Sequence, residues 1–257
     1  MNSKDFTRKD FLKKITAMTI ASFGLSSPLF AKPKIRKPRN YKVLKNKNVV
    51  LFQGDSITDY GRDKKNHKPN NAWALGPGYT FIASTNLLYN FPERDLIFYN
   101  RGVSGNVVHQ LAERWDKDTI ALKPDVLSIL VGVNDYWHIL TNGYKGTLTI
   151  YEHDYRKLLQ RTKKTLPNTN LIIGEPYALK GGKAINSKWN LDTFHGYQQA
   201  ARRIAHDFGA AFIPYQAIYD EALKKASVDY WSLDGVHPSA AGCKLMSHAW
   251  LTTLEMM

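Results

Sequence analysis

Near its two ends this chain places a serine, an acid and a histidine in contexts that suit nucleophilic catalysis. Gly54-Asp55-Ser56-Ile57-Thr58 follows the apolar run Val49-Val50-Leu51-Phe52, and 178 residues after Ser56 the chain reads Asp234-Gly235-Val236-His237-Pro238. An attacking hydroxyl must give up its proton, so it needs a base, and an imidazole base needs an acid to orient it. The Asp-x-x-His spacing covers about one turn, so the carboxylate can hold one ring nitrogen while the other faces a serine. The run before Ser56 is short, β-branched and unbroken, as in a strand buried on both faces of a parallel sheet. A turn at the carboxyl end of such a strand lies where open α/β sheets hold their ligands. Either motif alone is weak, since Gly-Asp-Ser is usually an ordinary turn. Together, at opposite ends of one domain, they specify a nucleophilic hydrolase site.

Two further segments reach the same sheet edge. Asn100-Arg101-Gly102-Val103-Ser104-Gly105-Asn106 follows Leu96-Ile97-Phe98-Tyr99, and Gly132-Val133-Asn134-Asp135 follows Val126-Leu127-Ser128-Ile129-Leu130-Val131. Acyl transfer needs donors aimed at a developing oxyanion. A glycine lets its N–H come close, and an asparagine side chain adds another donor. Gly102 and Gly105 also suit plain turns, and Asn134 an Asx turn. Ser104 is a second serine in a glycine-containing loop, but no Gly-x-Ser-x-Gly elbow surrounds it.

In order and context, Ser56, Gly102, Asn134 and His237 resemble the SGNH (GDSL-type) hydrolase family, over roughly residues 48–254. Within it, Gln53 to Asp59, Asn100 to Asn106, Leu122-Lys123-Pro124-Asp125-Val126 and Asp234 to Gly242 resemble the acetylxylan-esterase-like carbohydrate esterases. The resemblance implies Ser56 as nucleophile, His237 as base and Asp234 as its orienter. It implies an oxyanion hole from the Ser56 and Gly102 N–H groups with the Asn134 side chain. It implies a serine esterase that removes acetyl groups from carbohydrate, with no cofactor.

The formal charge of +14 over 257 residues looks at first like a nucleic-acid signal. Its location argues otherwise: residues 32–47 hold eight Lys/Arg and no acid, whereas 48–257 hold 23 against 20. The basic excess belongs to the N-terminal segments, and no nucleic-acid partner is expected. A charged start through Lys13, a moderately apolar stretch from Ile15 to Leu25 and Ser26-Ser27-Pro28-Leu29-Phe30-Ala31 follow the order of an export signal. That stretch is too short to span a bilayer, which takes about 20 residues. The expected organisation is a signal over 1–31, a basic linker over 32–47 and one hydrolase domain over 48–257. Arg8-Lys9-Asp10-Phe11-Leu12-Lys13 resembles a twin-arginine signal with one arginine replaced, so the route is twin-arginine-like or general secretory. The expected location is periplasmic or secreted, without integral membrane association once the signal is cleaved. Cys243 stands alone, so no internal disulfide can form.

Apolar runs at 49–53, 96–99, 126–131, 171–173 and 211–213 alternate with helical stretches near 78–90, 106–116, 152–165, 194–207, 217–226 and 239–254. This alternation predicts a three-layer α/β/α sandwich around a five-stranded, mostly parallel sheet. Long loops are expected at 60–77, 136–150 and 177–192. His109, His195, His206 and His248 fall on expected helices as surface or packing residues, and no His-x-x-x-His or cysteine cluster suggests a metal. Gly181-Gly182-Lys183 lacks phosphate-loop spacing. Asp55 and Asp135 read as acids of tight strand-end turns, and Asp55 is also a candidate substrate contact. Trp137, Trp189 and Trp231 are candidate substrate-binding residues, since flat aromatic faces stack on sugar rings. Trp73, Tyr136 and Tyr230 are further rings near the site, and Asn70, Asn71, Asn142 and Asn190 could bind hydroxyls. No loop is aliphatic enough for a long-acyl channel, which favours acetyl on a polar carrier. The competing readings are a lysophospholipase or thioesterase of the same fold, and a non-catalytic carbohydrate-binding protein. The sequence is also compatible with a homo-oligomer.

Overall fold

The computed structural model describes residues 40–257. Five strands form one sheet in the order β2-β1-β3-β4-β5, with every neighbouring pair parallel: β1 (Val49–Gly54), β2 (Ile97–Asn100), β3 (Val126–Leu130), β4 (Asn170–Gly174) and β5 (Ala211–Ile213). The strand order reverses between β1 and β3, and crevices at such a switch point lie outside the carboxyl ends of the strands. Ser56 leaves β1 and Asn134 leaves β3 at this crevice.

Two helical layers cover the sheet, as period-two alternation along the strands requires. The Phe52 ring packs on Tyr79 and Trp250, so this face meets α3 (Tyr79–Asn90) and α11 (Ala240–Glu255). Gln53 points to the opposite layer, where its amide nitrogen donates to Thr119 Oγ1 at 2.7 Å and to the Asp118 carbonyl at 3.1 Å. That layer contains α4 (Val108–Glu113), α5 (Trp115–Asp118), α7 (Leu148–Thr165) and α8 (Leu191–Asp207). Trp115 Nε1 donates to Thr162 Oγ1 within it at 2.9 Å. Short helices α1 (Ser56–Asp59), α2 (Ala72–Leu75), α6 (Val133–Thr141), α9 (Tyr215–Leu223) and α10 (Val228–Trp231) complete the order.

The exposed side of β2 is closed by one residue. Asn70 donates its backbone N–H to the Phe98 carbonyl at 3.1 Å and Nδ2 to the Leu96 carbonyl at 2.8 Å, and its Oδ1 accepts from the Phe98 N–H at 2.8 Å. It takes the place of a strand residue and satisfies an edge that would otherwise offer free ladder positions.

The linker boundary expected at residue 47 requires correction. Tyr41 and Leu44 are buried, Tyr41 packs edge-on against Phe91, and Arg94 donates to both of their carbonyls. Residues 40–47 therefore belong to the folded body. The basic sequence misleads here because the buried residues are interleaved with solvated lysines. The signal expected over 1–31 and the rest of the linker lie outside the described residues.

Candidate active site

The nucleophile turn is built from its neighbours' constraints. At Gly54 a Cβ would collide with the Leu130 carbonyl and with Thr58 Oγ1, so only glycine lets β1 end this close to β3. Asp55 then caps α1: its Oδ1 accepts from the Ile57 N–H at 3.0 Å, and its carbonyl accepts from Thr58 and Asp59. The first helical N–H, that of Ser56, has no partner among the described residues, as expected at a helix start.

The other half of the relay is a self-braced loop. Asp234 Oδ1 accepts from the backbone N–H groups of Val236 at 2.8 Å and His237 at 2.7 Å, which leaves Oδ2 for His237 Nδ1 at 2.7 Å. His237 Nε2 lies 2.8 Å from Ser56 Oγ. A carboxylate only accepts, so Nδ1 carries the proton and Nε2 offers its lone pair to the serine hydroxyl. Burial opposes ionisation of Asp234, but bonds from the His237 ring and the two amides outweigh it and hold the acid below its usual range. Several ties fix the loop. Tyr60 donates its hydroxyl to the Pro238 carbonyl at 2.6 Å, and Ala184 and Leu179 donate N–H groups to the Asp234 and Gly235 carbonyls. Gly182 packs on Gly235 so closely that a Cβ would strike its backbone. Nothing in the pattern Gly181-Gly182-Lys183 identifies this brace for the acid loop.

The expected oxyanion donor Gly102 is corrected by its bonding. Its N–H is taken by Asn100 Oδ1 at 2.8 Å, while Asn100 Nδ2 donates to the Thr58 carbonyl at 2.6 Å. Its Cα lies against the Thr58–Asp59 backbone, where a Cβ would clash. Gly102 is a packing glycine. Three residues on, Gly105 has a positive φ of 81° and an N–H without a partner among the described residues. The adjacent Asn106 carbonyl accepts from Asn134 Nδ2 at 3.2 Å, which leaves the second amide hydrogen of Asn134 free. Three unspent donors thus flank the crevice: Ser56 N–H, Gly105 N–H and Asn134 Nδ2. Gly102→Ala is expected to destabilise the fold by about 1–3 kcal/mol through overpacking. Gly105→Ala meets no collision but places an L side chain at φ 81°, a strain of about 1–2 kcal/mol, so parallel melting curves should show both variants below wild type.

Asn134 and Trp137 share a face of α6, a helix that falls partly in the expected loop 136–150. Trp137 lies 6.2 Å from the His237 ring, centroid to centroid, and 5.9 Å from Trp189. Trp189 is itself buried among Tyr136, Phe194 and Trp137 and supports that wall from behind. Trp231 does not join them. Its indole N–H donates to the Ala222 carbonyl at 3.0 Å, and its ring lines a groove with Ala217, Ile218 and Leu245 that includes no triad residue. Asp55 is fully buried under the turn and offers no surface to a substrate. The asparagines are likewise structural: Asn70 closes β2, Asn71 caps α2, Asn190 caps α8, and Asn142 ends α6. Tyr136 is buried, its hydroxyl bonded to Asn190, whereas Trp73 and Tyr230 are exposed.

Burial pushes Asp55 and Asp135 up to about 7, and each keeps one carboxylate oxygen without a partner among the described residues. Asp135 Oδ1 accepts from the Val108 N–H at 3.1 Å and so starts α4. Between the unfolded carboxylate range and the raised native value, the native state binds the extra proton, so stability falls as pH rises through that window. Asp135→Asn is expected to flatten the loss of thermal midpoint between about pH 5 and about pH 8. An unchanged slope would exclude Asp135 as its source.

The Asp234 carboxylate raises His237 above the ordinary 6.5, against the opposing effect of burial. Neutral imidazole is the basic form, so kcat/KM for ester cleavage is expected to rise with pH along one limb whose midpoint lies above 6.5. A limb centred below that value would contradict the observed Asp234 contact.

A parallel sheet of this order, with a serine–histidine–acid relay at its carboxyl edge, defines an SGNH-type hydrolase. The chain belongs to the GDSL-like lipase/acylhydrolase family, whose model matches residues 52–245. It is a carboxylic ester hydrolase. It is 32% identical over 213 residues to an acetylxylan esterase of Geobacillus stearothermophilus, covering 79% of this chain and 91% of that protein. The crystal structure of that esterase, Axe2, superposes with a TM-score of 0.73, covering 82% of this chain and 95% of the other. A Parabacteroides merdae protein described as a GDSL-like lipase is 47% identical, with a TM-score of 0.81 over 83% of this chain and 98% of its own.

Proposed function

We propose that this protein is a serine esterase that removes acetyl groups from carbohydrate. The observation that carries the chemistry is the unbroken relay Ser56 Oγ–His237 Nε2 at 2.8 Å and His237 Nδ1–Asp234 Oδ2 at 2.7 Å. Ser56 Oγ attacks the ester carbonyl while His237 takes its proton. The Ser56 and Gly105 amides and Asn134 Nδ2 hold the oxyanion. As the intermediate collapses, His237 gives the proton to the leaving sugar oxygen, and the Ser56 acyl ester remains. Water then attacks this ester with His237 again as base, releasing acetate and restoring the serine.

Support for an acetylated sugar comes from the relatives and the wall of the site. Axe2 is described as an acetyl-xylooligosaccharide esterase, and its solved variants include catalytic mutants in which a serine or an aspartate is replaced by alanine. Trp137 presents a partly exposed ring beside His237, a flat face suited to a sugar or a small acyl group. The N-terminal pattern makes export part of the proposal. The second reading, a lipase, lysophospholipase or thioesterase, is favoured by the Parabacteroides relative's description. Acetate release from acetylated xylan, mannan, pectin and simple sugars tests the first. A p-nitrophenyl ester series from acetate to decanoate separates the two. Turnover that falls steeply beyond acetate supports the acetylesterase, and a maximum at long chains overturns it.

Asn134→Ala is expected to lower kcat by roughly 10²–10³ with little change in KM, since its donor meets charge present only in the transition state. Unchanged kcat with a large rise in KM would make Asn134 a ground-state contact.

A further inference from the structure

The loop that offers the Gly105 N–H is pinned to the nucleophile helix by one buried carboxylate. Asp59 is the last residue of α1, one turn after Ser56, and its side chain is 1% exposed. Its Oδ2 accepts from the Ser104 N–H at 2.9 Å, from Ser104 Oγ at 2.7 Å and from Lys64 Nζ at 2.9 Å. Burial works against its ionisation, but the Lys64 and Ser104 bonds outweigh it and hold the carboxyl below its usual range. The rest of the loop is tied elsewhere. Val103 N–H donates to the Gly54 carbonyl at 3.0 Å, and Arg62 Nε donates to the Gly102 carbonyl at 2.9 Å. Beyond Gly105, Arg114 Nε holds Asn106 Oδ1 at 2.8 Å. Among the described residues Asp59 alone grips Ser104, the residue whose carbonyl carbon forms the peptide bond to the Gly105 nitrogen.

We propose that Asp59 is a positioning residue: by clamping Ser104 through two hydrogen bonds it sets the direction of the Gly105 N–H relative to Ser56. This rests on the serine-esterase reading and on Gly105 as an oxyanion donor. The nucleophile and its oxyanion donor then hang from the same short helix, so they keep register with each other. Ser104 is exposed, and its hydroxyl bonds the buried Asp59 carboxylate, so a purely structural role predicts that removing it lowers the melting midpoint but leaves kcat unchanged. Lys64, half-exposed, keeps the buried Asp59 charge paired and leaves Oδ2 a full acceptor. Asparagine at position 59 keeps an oxygen that can accept both Ser104 bonds, whereas alanine removes the grip.

The test measures kcat and KM with p-nitrophenyl acetate, with melting curves for each variant. A misplaced donor costs turnover rather than binding, up to about 100-fold for a displacement of 1 Å. Asp59→Ala is expected to lose about 10–100-fold in kcat with KM within about threefold, and Asp59→Asn to regain most of it. Ser104→Ala, which keeps the backbone bond from residue 104 to Asp59, should lose about 3–10-fold in kcat at unchanged KM. Inhibition by methylboronic acid, whose tetrahedral adduct fills the hole, should weaken in parallel with kcat. Full turnover in Ser104→Ala, or a folded Asp59→Asn as inactive as Asp59→Ala, would overturn the proposal. If Asp59→Ala fails to fold, the Ser104→Ala result decides. Ser56→Ala serves as the control. If it remains active, the esterase reading itself fails; if it is inactive while the Asp59 and Ser104 variants turn over normally, only this inference fails.

Discussion

Replacing Ser56 by alanine is expected to reduce ester turnover by at least about 10⁴-fold, because the only hydroxyl bonded to the His237 ring among the described residues disappears. The residual rate would come from the oxyanion donors and from binding. The fold should persist, since the change costs one partly exposed hydrogen bond, worth about 1 kcal/mol. A fluorophosphonate probe should label the wild-type protein and not the variant. Retention of a tenth of the wild-type rate would remove Ser56 from the mechanism.

Asp234→Asn should cost roughly 10³–10⁴-fold, and the loop geometry explains why the loss is chemical rather than structural. The substituted amide keeps an oxygen for the Val236 and His237 N–H groups, so the loop retains its shape. Its nitrogen takes the place of Oδ2 and carries an NH₂ group facing His237 Nδ1. That ring nitrogen must become the acceptor, which places the proton on Nε2, against Ser56. The imidazole then has no lone pair for the serine proton and no compensating charge once protonated. A melting curve close to wild type with that loss of kcat/KM is the expected signature. Near-normal kcat/KM would assign Asp234 to loop structure alone.

The layers of the molecule differ in how far the sequence reveals them. The strands were legible because a parallel sheet buried on both faces demands continuous apolar runs, and each run at 49–53, 126–131 and 171–173 met its strand within a residue. The meeting of Ser56, Asp234 and His237 was legible because chemistry fixes their types and the sheet edge fixes their places. Gly102 was not, since both glycines of Asn100 to Asn106 suit a tight loop. Only the Asn100 side chain, folded back on Gly102, shows which N–H is already spent. Trp231 misled for a related reason: adjacency to Asp234 in the chain says nothing of the side on which an indole packs. Helix α6 lies partly in what reads as a loop, because it is short and follows directly on Gly132 at φ 133°. Asp59 had no signal at all. Its role depends on Ser104, 45 residues away.

Ser56 follows the first strand, whereas its base lies 181 residues further along, just before the final helix α11. During synthesis the nucleophile emerges 181 residues ahead of the imidazole that activates it. A growing chain therefore carries a serine with no base until the segment through α11 has emerged and α11 docks beside Phe52 through Trp250. Hydrolytic competence therefore waits on the segment that carries His237, and any truncation that removes α11 and the loop before it leaves Ser56 without its base.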